Sequence, residues 1–270
     1  MEFFVTAGGI PVHILDTRNG NKTILLLHGY LETMCIWTDF IDLLSKKFRV
    51  ITIDLPGHGL TGTAPKSSDY SSSVNSMEFC AGVIKDIMDI CGITSAYIGG
   101  HSLGGYIALA CCRLYPDRFD KLILFNSNPY SDSPDKENDR KREIDVIERG
   151  KLYVLASIAV PKMYKQTNLR KFDEKIRETI ELCEMHDPEG ICSSIRGMQI
   201  RPDSQDFIKN IKIPVLLISG DSDEFFSLEK LKEMQSVLTN VNYSIIADTG
   251  HNSFIEAPMA TLDILRTFLG

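Results

Sequence analysis

The sequence predicts an α/β fold in which a mostly parallel sheet is flanked by helices on both faces. Short runs rich in Ile, Leu and Val recur along the chain and suit strands that are buried on both faces. Longer stretches with apolar residues at helical spacing lie between them, and this alternation is typical of parallel strands joined by right-handed crossovers. The apolar runs are residues 24–27, 50–53, 96–98, 122–125 and 215–218, and the helical patterns are residues 37–45, 74–91, 103–114, 228–238 and 258–268.

The first residues of the chain predict a hairpin at the edge of this sheet. Residues 3–5 and 12–15 are short apolar-rich runs, and Gly8, Gly9 and Pro11 lie between them. Glycine and proline commonly separate paired strands. We therefore expect two antiparallel strands before the parallel part of the sheet.

One long interval, residues 126–211, breaks the alternation because it contains no convincing strand. Phe172, Ile176 and Ile180 recur at every fourth position, which is the spacing of one helix face. We therefore expect residues 1–125 and 212–270 to form one α/β core and residues 126–211 to form a helical insertion that caps it. The serine-rich stretch 67–76 is interpreted as a loop.

Composition and charge limit the classes of partner. The chain has 270 residues, of which 43% are hydrophobic and 24% charged, the balance of an ordinary globular protein. The formal net charge of −7 disfavours a nucleic-acid or anionic-membrane surface, because those partners require clustered Lys and Arg. The densest charge run, residues 135–149, mixes both signs and is interpreted as a solvated helix face.

Targeting signals and cysteine usage point to the cytoplasm. The first residues lack a basic start followed by an apolar stretch, and no stretch reaches the roughly 20 apolar residues of a membrane helix. The seven cysteines are an odd set without CxxC pairs, which argues against a disulfide framework or a zinc site. We expect a cytoplasmic protein with reduced thiols, most of them in the core.

The strongest chemical motif is Gly100-His101-Ser102-Leu103-Gly104, which follows an apolar run and precedes a helical pattern. In this G-x-S-x-G context, a sharp strand-to-helix turn projects the serine hydroxyl into a cleft. By itself, the motif also fits a tight structural turn or a phosphate site at a helix N-terminus. The motifs that accompany it favour a nucleophilic Ser102.

The segment His28-Gly29-Tyr30-Leu31 follows the run 24–27, where a loop for binding an oxyanion is expected. The backbone N–H groups of Tyr30 and Leu103 are predicted to bind the negative oxygen of a tetrahedral intermediate. Each donor of this kind is worth roughly 10²–10³ in rate. The side chain of His28 is interpreted as structural.

An acid and a histidine follow two later strands. Asp221 and Asp223 come directly after the run 215–218, and His251 follows the run 243–246. A carboxylate that orients an imidazole, which in turn takes the serine proton, completes a nucleophilic triad. The residues alone leave Asp221 and Asp223 as alternatives for the acid.

With these motifs the sequence resembles the α/β-hydrolase superfamily over its whole length. The loop Asp54-Leu55-Pro56-Gly57-His58-Gly59 is typical of that family, as is the order Ser, Asp, His along the chain. The family's G-x-x-D motif runs from Gly220 to Asp223, which makes Asp221 the lesser alternative. The resemblance implies Ser102 as nucleophile, His251 as base, Asp223 as the orienting acid, and no metal or organic cofactor.

The resemblance implies a serine hydrolase that cleaves a small ester, thioester, lactone or related carbonyl compound through an acyl-enzyme. A serine nucleophile disfavours the dehalogenase and epoxide-hydrolase branches, which use Asp. A ligand-binding receptor built on a hydrolase fold is an alternative of another class.

The segments Gly250-His251-Asn252 and Glu256-Ala257-Pro258 also resemble a small capped branch that includes the menaquinone-pathway enzyme which eliminates pyruvate. A C–C lyase or hydrolase of that type is a further alternative. Against it, Tyr106 stands where the resemblance implies an arginine, and His101 where it implies a tyrosine.

The remaining histidines and the insertion give lesser expectations. His13 and His186 are predicted at the surface, and His58 in a loop that supports the cleft. The pocket under the insertion is predicted to be mainly apolar and to take a small-molecule substrate. Candidate lining residues are Tyr153, Leu155, Met163 and Tyr164.

Overall fold

The computed structural model describes residues 1–66 and 72–270, and it confirms the predicted α/β fold class. Within these residues the strands are β1 (Glu2–Ala7), β2 (Ile10–Asp16), β3 (Thr23–Leu27), β4 (Arg49–Ile53), β5 (Ala96–His101), β6 (Phe119–Phe125), β7 (Val215–Gly220) and β8 (Val241–Ile246). They form one sheet in the order β1-β2-β4-β3-β5-β6-β7-β8. β1 pairs with β2 and β2 with β4 in the antiparallel sense, which confirms the hairpin at the edge, and the other neighbours are parallel.

Helices fill the connections between the strands. The α-helices are α1 (Thr38–Leu44), α2 (Met77–Ile90), α3 (Leu103–Leu114), α4 (Pro134–Glu148), α5 (Leu152–Ala159), α6 (Asp173–Glu184), α7 (Pro188–Gln199), α8 (Gln205–Asn210), α9 (Leu228–Val237), α10 (Ser253–Glu256) and α11 (Pro258–Leu269). Short 3₁₀ helices cover Met34–Trp37, Pro116–Arg118, Pro161–Met163 and Gln166–Asn168. Across residues 1–66 and 72–270, we find no helix with the length and apolar character needed to cross a bilayer.

Two hydrophobic layers hold the sheet between its helices. In β3, Leu25 and Leu27 face the layer that contains α2 and α3, whereas Ile24 and Leu26 face the layer that contains α1 and α11. This alternation follows from the two-residue repeat of a strand, and it explains why the central strands are apolar at almost every position. The sheet is therefore rigid and buried where it approaches its carboxyl edge.

The carboxyl ends of the parallel strands meet at one edge of the sheet. β5 ends directly before Ser102, β7 ends shortly before Asp223, and β8 ends shortly before His251. Helices α4 to α8 lie between β6 and β7 in the chain, so residues 126–211 leave the sheet at this edge, and the chain re-enters it at the opposite edge, where the parallel strand β7 begins. Of the predicted loop 67–76, residues 67–71 lie outside the described residues, and residues 72–76 precede α2 without regular structure.

His13 and His186 are buried, so the prediction that they lie at the surface was wrong. His13 Nδ1 lies 2.9 Å from Asp54 Oδ2, and His186 Nδ1 accepts a hydrogen bond of 2.9 Å from the Gly59 N–H. Both histidines are therefore bound to the loop of residues 54–59, which is distant from each of them in the chain. Polar neighbours in the sequence could not reveal these partners.

His28, His58 and His186 form a buried histidine cluster beside this loop. The ring of His58 lies 5.2 Å from that of His28 and 5.4 Å from that of His186, measured between centroids. Burial lowers the pKa of His58 well below its usual range, and burial together with the neighbouring imidazole of His28 lowers the pKa of His186 to about 4. The folded protein therefore keeps these rings neutral where an unfolded chain would protonate them.

The His186→Gln variant tests whether the buried His186 makes the stability of the protein depend on pH. A glutamine oxygen can still accept from the Gly59 N–H, but the side chain does not titrate. Between pH 6.5 and about pH 4 the unfolded chain binds a proton at His186 and the folded protein does not, so the free energy of unfolding falls as the pH falls. At pH 4.5 this contribution should reach about 2–3 kcal/mol. The free energy of unfolding, measured with urea at pH 7 and at pH 4.5, should decline less between these two pH values in the variant than in the parent. An equal decline would show that His186 does not titrate in this way.

Candidate active site

Ser102 lies on a strained turn between β5 and α3. Its φ is 48°, a left-handed value that costs a residue other than glycine about 1–3 kcal/mol. Glycine is required on both sides because the chain approaches itself closely: a Cβ on Gly100 would lie 2.1 Å from the carbonyl oxygen of Gly104, and a Cβ on Gly104 would lie 2.4 Å from that of Leu27. The geometry is that of a serine presented at the start of a helix.

The predicted oxyanion donors are the backbone N–H groups of Tyr30 and Leu103. Leu103 is the first residue of α3, and Tyr30 lies in the loop after β3. Within the part of the chain that the structure describes, no acceptor engages the backbone N–H of either residue. Both donors therefore remain available to a ligand.

His251 and Asp223 form a buried hydrogen-bonded pair. His251 Nδ1 lies 2.8 Å from Asp223 Oδ2, and both residues are buried. The other predicted candidate, Asp221, instead accepts hydrogen bonds from the Ser222 hydroxyl and the Asp248 N–H. Of the two carboxylates, the structure brings only Asp223 to the imidazole.

Asp223 has donors on both of its oxygens. Oδ1 accepts from the N–H groups of Phe225 and Phe226 at 2.8 and 3.1 Å, and Oδ2 accepts from Asn126 Nδ2 at 2.9 Å as well as from His251. Burial alone raises the pKa of Asp223, but His251 and these hydrogen bonds together hold it below its ordinary value. Asp223 is therefore an anion in the folded protein.

Asn126 is a site residue that the sequence did not reveal. It follows β6 with a φ of 45°, and its Oδ1 accepts a hydrogen bond of 2.6 Å from the Ser253 hydroxyl. Its amide also donates to the carbonyl oxygen of Gly250 at 3.2 Å. Asn126 thus joins Asp223 to the loop that carries His251. Its position directly after a strand on the carboxyl edge was the one available signal.

A buried glutamate, Glu256, braces the loop that carries His251. Its Oε1 accepts from the Gly250 N–H at 2.6 Å, and its Oε2 accepts from the Lys165 N–H at 3.1 Å and from Asn168 Nδ2 at 2.7 Å. Lys165 and Asn168 belong to the helical segment 126–211. This loop is therefore tied to the helical segment as well as to the sheet.

Glu32 and His101 form a second buried pair, which sequence reasoning also missed. Glu32 Oε2 accepts from the Gly29 N–H at 2.7 Å and lies 2.8 Å from His101 Nδ1, while His101 Nε2 lies 3.1 Å from the carbonyl oxygen of His251. His101 thus connects the Glu32 carboxylate to the backbone of the loop that carries His251.

Ser102 and His251 line the same cavity, which has a volume of about 290 Å³. Ser102 is partly accessible from this cavity, and among the described residues its hydroxyl is not hydrogen-bonded to His251. The cavity is lined by apolar residues such as Met198, Phe225 and Phe226, but also by charged residues that the prediction of a mainly apolar pocket did not include, namely Lys136, Arg140, Glu143 and Glu224. The run 135–149 forms α4, and part of this helix faces the cavity, so the prediction of a solvated face holds only in part. Of the predicted apolar lining residues, Met163 lies at the cavity.

The arrangement is suited to nucleophilic attack by a serine. Ser102 is partly accessible at the cavity that His251 also lines, His251 has an anionic partner, and the N–H groups of Tyr30 and Leu103 have no acceptor among the described residues. In the part of the chain that the structure describes, we find no group of three or more His, Cys, Asp or Glu residues placed to hold a metal ion.

Known proteins resemble this chain in both sequence and fold. The sequence profile of the alpha/beta hydrolase fold matches residues 22–258. The chain is 26% identical over 260 residues, 93% of its length and 91% of the relative's, to a protein assigned as a 2-succinyl-6-hydroxy-2,4-cyclohexadiene-1-carboxylate synthase in Bacillus subtilis (strain 168). It is 27% identical over 276 residues, 98% of its length and 94% of the relative's, to the 2-hydroxy-6-oxononadienedioate/2-hydroxy-6-oxononatrienedioate hydrolase of Paraburkholderia phymatum.

Among solved structures, a thermophilic esterase from Thermogutta terrifontis superposes with a TM-score of 0.90 at 27% identity, covering 100% of this chain and 98% of the esterase. The chain therefore belongs to the α/β-hydrolase family and is a hydrolase of that fold.

Proposed function

We propose that the protein hydrolyses a small ester, thioester, lactone or related carbonyl compound through an acyl-enzyme on Ser102. The observation that carries this proposal is the 2.8 Å contact between His251 Nδ1 and Asp223 Oδ2, because it directs the other nitrogen of His251 to the cavity that Ser102 lines. The similar esterase and hydrolase support the same reaction class.

In the first step the Ser102 hydroxyl oxygen attacks the carbonyl carbon while His251 Nε2 takes its proton. The C=O π electrons move to the oxygen, which becomes the oxyanion of a tetrahedral intermediate. The free N–H groups of Tyr30 and Leu103 stabilise that oxyanion, each by roughly 10²–10³ in rate. Collapse of the intermediate expels the leaving group, which receives the proton from His251.

In the second step water releases the acyl group. His251 takes a proton from water, the hydroxide oxygen attacks the acyl carbon, and the Ser102 oxygen leaves with the proton that His251 returns. Asp223 stabilises the imidazolium that forms twice in the cycle, and its hydrogen bond keeps the proton on Nδ1 so that Nε2 can act as the base. Asp223 is able to do so because it is anionic.

The Glu32–His101 pair acts as a positioning device in this scheme. Glu32 holds the Gly29 N–H beside the oxyanion loop, and His101 holds the backbone carbonyl of His251. One carboxylate thus links the predicted oxyanion loop to the loop of the base. A shift of either loop alters the distance between Ser102, the base and the oxyanion donors.

A second candidate function is cleavage of a C–C bond next to a carbonyl, by hydrolysis or by elimination of pyruvate. It is favoured by the similarity to the carboxylate synthase and the dienedioate hydrolase. Against the elimination, Tyr106 replaces the arginine that the resemblance implies. The guanidinium of Arg201 lies 4.0 Å from the Tyr106 ring centroid, but it already donates to Asp132 and to two backbone carbonyls. Simple ester hydrolysis requires no such arginine.

The Asp223→Asn and Asp221→Asn variants test the proposed function. In Asp223→Asn a neutral amide replaces the charged acceptor of His251 Nδ1, so hydrolysis of 4-nitrophenyl butyrate should fall by about 10³–10⁴-fold. Asp221→Asn should reduce it by less than about ten-fold, which corresponds to 1.4 kcal/mol in the barrier. Labelling of Ser102 by a fluorophosphonate probe should follow the same ranking, with Ser102→Ala as the unlabelled control. A parent protein that is neither labelled nor active would favour a receptor, and the reverse ranking of the two variants would exclude Asp223 as the acid.

Two substitutions at Glu32 distinguish the role of its hydrogen bonds in positioning the loops from the effect of its negative charge. In Glu32→Gln the amide oxygen can take the place of Oε2 and accept from the Gly29 N–H and from an N–H at His101 Nδ1, so the loops stay in place and labelling of Ser102 should remain within about three-fold of the parent. In Glu32→Ala these contacts are lost, and the labelling rate should fall at least about ten-fold, or 1.4 kcal/mol. Thermal unfolding of both variants checks that the comparison is made on folded protein. Parent-like labelling of Glu32→Ala would show that the pair has no positioning role.

A further inference from the structure

Helix α4 presents two cationic side chains to the cavity that contains Ser102. Lys136 and Arg140 both line it, together with Glu143 from the same helix. Residues four positions apart lie on one face of a helix, and Glu143 falls on the same face one turn further along. Lys141 belongs to the opposite face and is exposed. The charges of α4 are therefore divided between the cavity and the solvent.

Arg140 is already neutralised by protein carboxylates. Its Nε lies 3.1 Å from Asp132 Oδ2, and its Nη1 lies 3.7 Å from Glu143 Oε2. The other oxygen of Asp132 is held by Arg201 Nη1 at 2.8 Å. The two arginines and two carboxylates form a closed buried network in which each charge has an opposite neighbour.

Lys136 lies outside this network. Among residues 1–66 and 72–270, no carboxylate oxygen lies within 4.0 Å of its Nζ, and its ammonium group has no hydrogen-bond acceptor there. The side chain is only partly exposed. Burial, and next the charge of Arg140, lower the pKa of Lys136, while Glu143, Asp132 and Asp139 offset this only in part. A half-buried ammonium without a partner is stabilised by any anion that enters the cavity.

The other charges at the cavity limit the kind of anion. Glu143 is paired with Arg140, and Glu224 lines the cavity but is exposed to solvent. These two carboxylates repel a ligand with two negative charges, whereas the single ammonium of Lys136 is enough to neutralise a ligand with one negative charge. A carboxylate fits this balance better than a phosphate dianion.

We propose that the substrate carries a carboxylate, which the ammonium of Lys136 binds while the carbonyl to be cleaved lies at Ser102. The substrate class is thus a small monoanionic ester or related carbonyl compound, with a short chain between the two groups. This inference rests on the proposed function only for the position of the carbonyl. The carboxylate site itself is defined by Lys136 and the cavity.

Binding to the Ser102→Ala protein tests the proposal without turnover. The probes are monomethyl adipate, which carries one carboxylate, and dimethyl adipate, which is neutral and otherwise matched. Isothermal titration calorimetry should show tighter binding of the monoanion. Lys136→Gln, added to Ser102→Ala, should reduce the affinity for monomethyl adipate at least about ten-fold, since a charge-assisted hydrogen bond is worth about 1.5–3 kcal/mol. The affinity for dimethyl adipate should change by less than about two-fold. Higher salt should reduce the preference for the anion.

Lys141→Gln is the matched control, because it removes the same charge from the outer face of the same helix. It should leave the affinity for both probes unchanged. Lys136→Arg should retain most of the preference for the monoanion, which guards against an effect of misfolding. Equal affinities of the Lys136→Gln and Lys141→Gln proteins for monomethyl adipate would overturn the proposal, as would the absence of measurable binding at millimolar concentrations.

The outcomes for this site and for the proposed function are separable. If the wild-type protein hydrolyses 4-nitrophenyl butyrate but the binding of monomethyl adipate does not depend on Lys136, the serine hydrolase assignment stands and the carboxylate site is excluded. If the protein binds monomethyl adipate through Lys136 but does not react with esters or with a fluorophosphonate, the carboxylate site stands and the proposed function is excluded.

Discussion

The hydrogen bond between His251 Nδ1 and Asp223 Oδ2, 2.8 Å long, is the constraint that organises the carboxyl edge of the sheet. Both groups are buried, and a buried carboxylate is tolerated only when donors surround it. The N–H groups of Phe225 and Phe226 and the Asn126 amide supply those donors. The parallel pairing of β6, β7 and β8 sets these loops side by side, so the sheet fixes the geometry of the pair.

The same edge connects the base to the helical segment and to the oxyanion loop. Glu256 binds the loop of His251 to Lys165 and Asn168, and Glu32 with His101 binds it to Gly29. Each link is a buried carboxylate with several donors. Charge that is costly to bury is therefore used where loops from different parts of the chain must keep a fixed distance. The unpartnered ammonium of Lys136 is the exception, and this is the reason for assigning it to a ligand.

The sequence was sufficient for the fold and for the strand ends, because those signals are local. Apolar runs mark the central strands, and the glycines around Ser102 mark a turn that no larger residue can form. Asn126 and Glu32 were missed because their partners are distant: Asn126 binds Asp223 across 97 positions, and Glu32 binds His101 across 69. The mixed charges of α4 gave no indication of which side chains face inwards, since that depends on how the helix packs over the sheet. The choice between Asp221 and Asp223 likewise required the loop geometry.

Trapping of an acyl-enzyme tests the central claim, that Ser102 is a nucleophile activated by the His251–Asp223 pair. The wild-type protein is mixed with 4-nitrophenyl hexanoate, quenched in acid within milliseconds to seconds, digested and analysed by tandem mass spectrometry. The account predicts a burst of 4-nitrophenolate and a hexanoyl group on the peptide that contains Ser102, at the Ser102 hydroxyl. Hydrolysis that proceeds without a burst and without an adduct on Ser102, or an adduct on another residue, would contradict it.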